Sequence, residues 1–405
     1  MITEFEQQLC FIDSETRRIP GATIDDVTKV GGYRYARQAM ASIWSAAIGS
    51  EEAWAVETDG DARTPVRWAQ MPGEVHRFHE RVMDGDAWYG AWNAAFDRLI
   101  WNSPQSDFPP TVPEHWIDVM AQAAASNLPG KLAHAAQFVG CTQKLETGSK
   151  LIGLFEPPNG ATPASRPDDW GDFVEYACLD VEAMRDVYLA TRPLGLSEWE
   201  TYWASERIND RGVPVDLHTC ARAAILNDEA VHVMNERIRD VTEGRVDKVT
   251  GVYKLKAWLL DEIADRNVLK MLTEKRELLH EDGSLKRAAK YSTERARLEQ
   301  AVAYYDSWDD LTEIESDLRE VMELRIHGGS TTPAKFRTIL SLADDDHNLK
   351  GQYVFNGAGQ TGRFSSRGVQ THNLTRSHLG ELEEEALIFL DDLDDPRCDT
   401  LTRRD

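Results

Sequence analysis

The residues best suited to chemistry in this sequence are four acids and one tyrosine. Asp13 and Glu15 end the first apolar run, and side chains two positions apart on a β-strand share one face. Tyr176 and Asp180 are four positions apart in a helical pattern, which places a phenol and a carboxylate on one helix face. Asp97 follows a later apolar run. Three separate elements could therefore direct carboxylates to one point.

Each of these residues alone has an ordinary structural explanation, because an acid at the end of a strand is usually solvated and an acid early in a helix often caps it. Their joint pattern is more specific. Asp-x-Glu comes first, Asn-x-x-Phe-Asp follows about eighty residues later, and Tyr-x-x-x-Asp about eighty after that. Converging carboxylates repel one another unless cations lie between them. Mg2+ is the expected counter-ion, because it binds a few carboxylates and completes its octahedron with water and substrate phosphate.

A mixed α/β region is predicted to position the first acids. Short apolar runs at 9–13, 52–56 and 87–92 indicate strands, and they alternate with helical stretches near 72–83 and 94–102. This alternation is typical of an α/β domain.

The middle of the chain is predicted to be mainly helical. The segment 116–155 is rich in Ala and Leu at helical spacing, and 170–191 is predicted to form one long helix that ends before Pro193. We expect the α/β domain to close there. Long charged helical patterns follow at 219–243, 252–276 and 290–324. After Gly328 and Gly329, further glycines break the chain into predicted strands and turns.

The composition is that of a soluble globular chain. Its 405 residues are 41% hydrophobic and 28% charged, enough for two or three domains with cores of their own. The formal net charge of -24 leaves no uniformly basic surface, so binding of a polyanion must be local or depend on metal ions. No stretch approaches the roughly 20 apolar residues of a membrane helix, and the first ten residues lack the order of a signal peptide. We expect no membrane partner and a cytoplasmic location.

Zinc and disulfide chemistry are not indicated by the sequence. The cysteines are odd in number, widely spaced and without a Cys-x-x-Cys pair, so we expect reduced thiols that mostly fill the core. They are Cys10, Cys141, Cys178, Cys220 and Cys398. His76 and His79 are three positions apart on a predicted helix, but no cysteine or carboxylate pattern completes a zinc site. We interpret both histidines as surface or packing residues.

The four acids and the tyrosine, taken in order, resemble the three motifs of the 3′-5′ proofreading exonucleases. Those enzymes have a ribonuclease H-like fold, so the resemblance implies this fold for the α/β domain. It also implies two Mg2+ ions, with Mn2+ as a substitute. Two divalent ions roughly 4 Å apart stabilise the attacking and the leaving oxygen of an in-line phosphodiester displacement, and no covalent nucleophile is needed.

The resemblance implies a role for each of these residues. Asp13 would bridge the two ions, while Glu15 and Asp180 would ligate the ion that activates water. Asp97 would hold the second ion, largely through water. Tyr176 would orient the attacking water by a hydrogen bond. All five are predicted catalytic residues, and the four acids are the predicted metal ligands.

Most of the chain further resembles family A DNA polymerases of phage type. The segment 361–373, which begins Thr-Gly-Arg-Phe, and the segment 330–337 resemble the start of the palm. Residues 202–216 resemble the entry into the polymerase region. Residues 144–155, ending Lys-Leu-Ile-Gly-Leu-Phe, resemble the phage-type branch. The helices between would form a thumb that closes on duplex DNA.

Contacts with DNA follow from this resemblance. Arg363 and Lys335 suit phosphate or minor-groove acceptors, and the glycines near them allow backbone amides to approach a strand closely. A Gly-rich turn with solvated arginines is the alternative interpretation. Asn93 would lie near the terminal nucleotide. The predicted contacts with a single-stranded 3′ end or a primer-template duplex are Asn93, Lys335, Thr361, Arg363, Gln370 and Asn373.

The fold class implied is α/β, with a ribonuclease H-like exonuclease domain followed by a mainly α-helical thumb and a partial palm. The expected segments are the exonuclease domain at 1–195, the palm entry and thumb at 196–327, the partial palm at 328–380 and an acidic tail at 381–405.

The departure from the polymerase pattern is large. No aspartate-bearing palm strand, basic fingers helix or second acidic palm turn follows the Thr-Gly-Arg stretch. We therefore expect that the chain does not polymerise alone. Either the polymerase is split between two genes and a second polypeptide supplies the fingers and the rest of the palm, or the chain is a fragment. An apolar stripe in the acidic tail, at Leu382, Ala386, Phe389 and Leu393, could pack on this chain or dock against such a partner.

The leading hypothesis is a proofreading 3′-5′ exonuclease subunit of a split family A DNA polymerase in phage DNA replication, located in the cytoplasm of the infected host cell. A stand-alone exonuclease of the ribonuclease D type is one alternative, but it leaves residues 330–373 without a role. A non-catalytic DNA-binding or scaffold subunit with vestigial carboxylates is the other. The intact set of five motif residues favours a catalytic role.

Overall fold

The structure, a computed structural model, describes most of the chain. The described residues are 8–24, 27–141, 148–279, 285–330, 333–359, 361–374, 388, 390 and 395–402, with the backbone only at 28–29, 274–279 and 285–289. The predicted tail stripe at Leu382, Ala386, Phe389 and Leu393 lies outside these residues, as does the start of the segment 144–155.

Strands and helices alternate in the first half of the chain. They are β1 (Leu9–Arg18), α1 (Val27–Val30), α2 (Gly32–Arg37), β2 (Ala39–Ile48), β3 (Trp54–Glu57), α3 (Gly73–Met83), β4 (Trp88–Ala91), α4 (Ala94–Trp101), β5 (Trp116–Asp118), α5 (Val119–Ala125), α6 (Leu132–Phe138), α7 (Gly148–Phe155), α8 (Pro167–Ala190), α9 (Leu196–Arg211) and β6 (Val213–Pro214).

The second half is mainly helical up to a final group of short strands. Its elements are α10 (Leu217–Val241), α11 (Val252–Glu262), α12 (Arg266–Met271), β7 (Thr273–Leu279), β8 (Leu285–Tyr291), α13 (Arg295–Asp306), α14 (Glu313–Gly328), α15 (Ala334–Leu342), β9 (Asn348–Leu349), β10 (Tyr353–Ala358), β11 (Arg363–Ser366) and α16 (Arg397–Thr402).

The chain divides into two compact units. Unit 1 comprises residues 1–215 and 341–374, and unit 2 comprises residues 216–340 and 375–405. The strands β9–β11 therefore share a unit with the α/β region, although some 125 residues of unit 2 separate them in sequence. The compact units cut across the segments expected from the sequence, whose functional labels stay predictions.

The sheet of unit 1 has the strand order β3-β2-β1-β4-β5 among the described residues. β1 and β2 are antiparallel, as are β2 and β3, whereas β4 and β5 run parallel to β1. The strands predicted at 9–13, 52–56 and 87–92 are confirmed, with shifted ends. The structure is thus a mixed α/β fold with many helices.

Side chains of β1 alternate between the two faces of this sheet. Cys10 and Ile12 pack into one hydrophobic cluster with residues of α3 and α4. Leu9 and Phe11 pack into another cluster with residues of α8. This alternation places odd-numbered positions of β1 toward α8 and even-numbered positions toward α4. The same alternation continues through the acids at 13 and 15, in the middle of the strand.

The sequence patterns did not predict the strand β2, which is buried along almost its whole length. Its sequence is rich in Ala and Ser, residues that rarely indicate a strand. Small side chains fit here because helices cover both faces of the sheet. Trp44 fills the remaining space on one face, where its ring lies 5.7 Å from that of Trp101 and 5.6 Å from that of Phe108.

The long helix predicted at 170–191 is confirmed as α8, which has a proline at its first turn and ends before Pro193. The segment 116–155 differs from prediction, because it begins with the parallel edge strand β5. The helices predicted at 252–276 and 290–324 are wrong in extent. Each is broken, and β7 and β8 form an antiparallel hairpin between them. The charged residues of this region fit both forms, and the pairing of the strands decides between them.

Unit 2 has a hydrophobic core of its own. Side chains from α11 to α14 meet there, and Leu255, Val268, Leu298 and Val321 are buried at its centre. Side-chain caps begin several of its helices. Thr312, for example, forms a capping box with Glu315 at the start of α14.

The histidines and cysteines pack as ordinary residues. His79 is buried and pairs with the hydroxyl of Tyr89 at 3.1 Å, and a ring nitrogen of His76 lies 3.0 Å from the backbone oxygen of Trp68. The cysteines are free thiols, three of them buried. Within the part of the chain that the structure describes, no helix combines the length and the apolar character needed to span a membrane.

Candidate active site

Three of the predicted metal ligands meet at the middle of β1, because this strand continues past the apolar run to Arg18. Asp13 and Glu15 project from β1, and Asp180 projects from α8, which packs on the same face of the sheet. One carboxylate oxygen from each residue lies within 4.8 Å of the others. The i, i+2 spacing on the strand therefore has the predicted consequence.

Asp97 reaches the same region from the opposite side of β1. It lies in the first turn of α4 and is only 1% exposed. One of its carboxylate oxygens accepts hydrogen bonds from the backbone N–H of Ser14 at 3.0 Å and from the Ser14 hydroxyl at 2.6 Å. Ser14 occupies the even-numbered position between the two strand acids, so its side chain faces α4. Asp97 is close enough to interact electrostatically with Asp13.

Tyr176 lies one turn before Asp180 on α8. Its hydroxyl lies close enough to the Asp180 carboxylate for the two groups to shift each other's pKa, as the shared helix face of an i, i+4 pair predicts. Burial, together with the negative charges of Asp180, Glu15 and Asp13, raises the pKa of this phenol far above its usual value. The hydroxyl therefore stays protonated and can donate hydrogen bonds at the edge of the acidic cluster.

The electrostatics of the cluster are unfavourable in the absence of a cation. Burial raises the pKa of Asp13 to about 6, and burial together with the charge of Asp13 raises the pKa of Asp180 to about 7. Burial and the three neighbouring carboxylates raise the pKa of Glu15. Burial and Asp13 likewise raise the pKa of Asp97, although the Ser14 hydrogen bonds oppose this shift.

The donor set fits a hard divalent cation. All the converging groups are carboxylates, which Mg2+ and Mn2+ prefer as ligands. A buried oxygen of the cluster, Oδ1 of Asp180, has no hydrogen-bond partner among the described residues. A buried carboxylate oxygen without a partner is costly unless a cation or a water binds it. The residues present therefore fit a metal ion at Asp13, Glu15 and Asp180.

Asn93 immediately precedes α4 and has left-handed backbone angles, with φ at 65°. Its backbone N–H donates to Oδ1 of Asp118 at 3.1 Å. Asn93 lines a cleft of about 1060 Å³ in unit 1, to which Phe96, Tyr202 and Phe355 also contribute. It therefore directly precedes the helix that carries Asp97, at the wall of an open space.

The other predicted DNA contacts belong to elements that do not carry the acids. Thr361 and Arg363 are exposed at the β10–β11 hairpin of unit 1. The side-chain amide of Asn373 donates to Gln370 at 3.2 Å, so these two residues do lie together. Lys335 is in α15, in the part of that helix assigned to unit 2.

An ion-pair network behind Asp97 was not found from the sequence. The Arg98 side chain is 5% exposed and donates to Asp210 at 2.8 and 2.9 Å and to Glu206 at 3.4 Å. Tyr33 donates its hydroxyl to Asp210 at 2.6 Å. The acids belong to α9, so the network fixes α4 against α9. In the sequence, the only signal for this network was an arginine directly after a motif acid. Its partners could not be identified, because they are more than a hundred residues away.

The same helix α9 also holds the strand β10. Asn209 donates its side-chain amide to the backbone oxygen of Tyr353 at 2.9 Å and accepts from the backbone N–H of Tyr353 at 2.9 Å. The ring of Tyr202 meets the ring of Phe355 edge-on at 5.9 Å. The hairpin that follows in the chain is thereby tied to the helix that supports α4.

The chain is similar in sequence to a known phage protein. No family model matches the chain. It is 26% identical over 288 residues to the DNA polymerase of Bacillus phage SP02, an alignment that covers 67% of this chain and 39% of the phage protein. The chain is homologous to a phage DNA polymerase. It therefore matches about two fifths of the length of this relative.

A solved DNA polymerase structure has a similar fold. The POL domain of Pol1 from M. smegmatis, in complex with DNA primer-template and dNTP, superposes with a TM-score of 0.50 at 13% sequence identity. The match covers 94% of this chain and 55% of the other. At this identity the likeness concerns the fold alone.

Proposed function

We propose that this chain is a metal-dependent 3′-5′ exonuclease that removes nucleotides from DNA 3′ ends within a family A type replication machinery. The single observation that carries the proposal is the convergence of carboxylate oxygens of Asp13, Glu15 and Asp180 within 4.8 Å of one another. A ribonuclease H-like exonuclease fold is supported by the strand order, in which the acidic strand β1 is central and lies between the antiparallel β2 and the parallel β4.

Each residue has a distinct task in this proposal. Asp13, Glu15 and Asp180 would hold a divalent ion, and Asp97, oriented by Ser14, would contribute to a second. When bound, the ions would activate water and stabilise the charge that develops on the scissile phosphate. The Tyr176 hydroxyl, kept protonated by burial and the surrounding acids, would donate a hydrogen bond that orients the attacking water.

Homology to a phage DNA polymerase favours DNA over RNA as the substrate. A ribonuclease D-like enzyme would leave β10 and β11 without a role, whereas here they share a unit with the acids. A scaffold subunit with vestigial acids would not require four carboxylates of raised pKa near one point, since such a cluster destabilises a protein without a cation.

The test is degradation of 5′-labelled single-stranded DNA by the purified chain with Mg2+, with Mn2+ and with EDTA. We expect a ladder that shortens from the 3′ end and requires metal, and much slower degradation of RNA of the same sequence. Asp180→Ala should abolish it. Asp172→Ala is the matched control, since Asp172 is an exposed acid on the same helix α8. Intact DNA under all conditions would favour the scaffold alternative.

That a second polypeptide completes a polymerase with this chain stays a prediction of the sequence resemblance. We expect the purified chain to incorporate no nucleotide into a primer-template, and measurable primer extension would contradict this expectation.

A further inference from the structure

The ring of Tyr176 lies directly against the backbone of Gly148, the first residue of α7. A Cβ atom built on Gly148 would be 2.3 Å from both Cε2 and Cζ of Tyr176 and 2.6 Å from its hydroxyl oxygen. Real Cβ atoms do not come so close to another heavy atom. Gly148 does not have the left-handed backbone angles that favour glycine, so the requirement is for space alone.

The half-buried ring of Tyr176 packs against a row of aromatic side chains. It is nearly parallel to the ring of Phe173, with centroids 6.2 Å apart and an interplanar angle of 13°. Phe173 in turn stacks on Phe155 at 5.4 Å and 11°. Phe155 is the last residue of α7, so this short helix supports Tyr176 at both of its ends.

The hydroxyl of Tyr176 also lies close to the Asp180 carboxylate, one helical turn away on α8. A methyl group at position 148 would contact the phenol at the end that carries this hydroxyl. The ring would have to tilt or shift by about 1 Å to restore ordinary van der Waals distances. Such a shift would carry the hydroxyl away from Asp180 and from the acids beyond it.

We propose that Gly148 is a positioning residue that sets the Tyr176 hydroxyl over the acidic cluster by leaving room for the phenol ring. This inference rests on the proposed exonuclease function, which it deepens. It assigns a role to α7, which no predicted site residue occupies.

The helix α7 supplies its own matched control. Gly153 belongs to the same helix and is exposed, and a Cβ atom placed on it would have no heavy atom within 4 Å. Alanine is favoured over glycine in a helix by roughly 1 kcal/mol, so Gly153→Ala should keep or raise the melting temperature. Any difference between Gly148→Ala and Gly153→Ala then reports the space at Tyr176 and not helix propensity.

The kinetic test compares Gly148→Ala, Gly153→Ala and Tyr176→Phe on 5′-labelled single-stranded DNA with saturating Mg2+. We expect Gly148→Ala to lower kcat on the order of 10²-fold, as a displacement of about 1 Å can, with KM for DNA little changed. Tyr176→Phe should lower kcat to a similar degree. Gly153→Ala should match the wild type. Equal kcat for the two alanine variants would overturn the proposal.

A double variant separates a positioning role from a general loss of structure. In a Tyr176→Ala background the ring is absent, so Gly148→Ala should cause no further loss of kcat and should no longer lower the melting temperature. If Gly148→Ala alone folds poorly, recovery of the melting temperature in the double variant supports the same contact. An undiminished effect of Gly148→Ala in that background would contradict the proposal.

A readout without turnover distinguishes this proposal from the proposed function. With 3-fluorotyrosine incorporated, the 19F resonance of Tyr176 can be assigned by its loss in Tyr176→Phe. We expect that resonance to shift in Gly148→Ala and to be unchanged in Gly153→Ala. If the wild-type chain left DNA intact, the exonuclease function would fail, and the 19F comparison would still decide whether Gly148 positions the hydroxyl.

Discussion

At the scale of single residues, the acids of β1 and α8 lie close together although their negative charges repel one another. Asp13, Glu15 and Asp180 converge although burial and their mutual repulsion raise the pKa of these carboxyls. Asp97 is stabilised differently, by two hydrogen bonds from Ser14. The unfavourable charge is what a divalent cation would relieve, so stability and activity should respond in opposite directions to the loss of one acid.

The first prediction concerns Asp13→Asn. Removing one of the repelling charges should stabilise the metal-free protein by roughly 1–3 kcal/mol near pH 8, because the remaining acids ionise more easily. The same change should lower exonuclease turnover by at least about 10²-fold, since it removes a metal ligand. Thermal unfolding in EDTA and a turnover assay measure the two effects. Asp172→Asn, at an exposed position of α8, should change neither, and a destabilised Asp13→Asn protein would contradict the prediction.

The second prediction concerns pH. Burial and repulsion raise the pKa of Asp13 to about 6 and of Asp180 to about 7, so the metal-free folded state retains protons that the unfolded state has released. The contribution of these groups to the free energy of unfolding is therefore present at about pH 4 and is lost as the pH rises to about 7. Mg2+ should raise the melting temperature more at pH 8 than at pH 5.

The measurement for this pH dependence is the melting temperature in EDTA and in Mg2+ from pH 5 to 8. The net charge of -24 also lowers stability at high pH, so Asp13→Asn is the necessary comparison. A slope in EDTA that is the same with and without Asp13 would show that the cluster does not cause it.

At the scale of elements, the site is formed by β1 and by two helices that pack on its opposite faces. Odd-numbered positions face α8 and its Asp180, and Ser14 faces α4 and its Asp97. The positions of the helices therefore determine the site. α4 is fixed from behind by Arg98, whose side chain is almost fully buried between Glu206 and Asp210 of α9.

The third prediction concerns Arg98→Ala. It leaves Glu206 and Asp210 without their buried cation, so we expect destabilisation of about 3–5 kcal/mol, the usual cost of removing one partner of a buried ion pair. Arg207 is on the same helix α9 and forms an exposed ion pair with Glu114. Arg207→Ala should therefore lower the free energy of unfolding by less than about 1 kcal/mol. Denaturant unfolding measures both. Equal costs would show that the Arg98 network does not hold α4 in place.

At the scale of the whole molecule, the acidic balance sets how the chain meets DNA. A net charge of -24 repels a polyanion at long range, and the proposed site is itself a cluster of acids. Of the predicted DNA contacts, Thr361 and Arg363 are exposed and would offer local contacts only. Association with DNA should therefore be limited by repulsion over distances comparable to the Debye length.

The fourth prediction concerns ionic strength. Because salt screens long-range repulsion, kcat/KM for single-stranded DNA should rise as NaCl increases from about 20 to 150 mM at saturating Mg2+. A basic DNA-binding protein shows the opposite trend, since salt opposes the release of counterions. Initial rates at low substrate concentration measure the effect. A steep fall in kcat/KM would indicate that local cationic contacts dominate binding.

The acid and tyrosine motifs could be predicted because their geometry is local. Asp13 and Glu15 share a strand face, and Tyr176 and Asp180 share a helix face, whatever the rest of the chain does. The strand β2 could not be predicted in the same way. Its Ala and Ser residues favour a strand only when helices cover both of its faces, which depends on segments far away in the sequence.

The sequence by itself determined which residues carry carboxylates and phenol, and which of them share a face, because periods of two and 3.6 residues are properties of the local backbone. Only the tertiary structure decided that α4 and α8 approach β1 from opposite faces, that Arg98 finds its acids on α9, and that Gly148 touches Tyr176. Those contacts join residues 28 to 112 positions apart, and burial of both faces of the sheet brings them together.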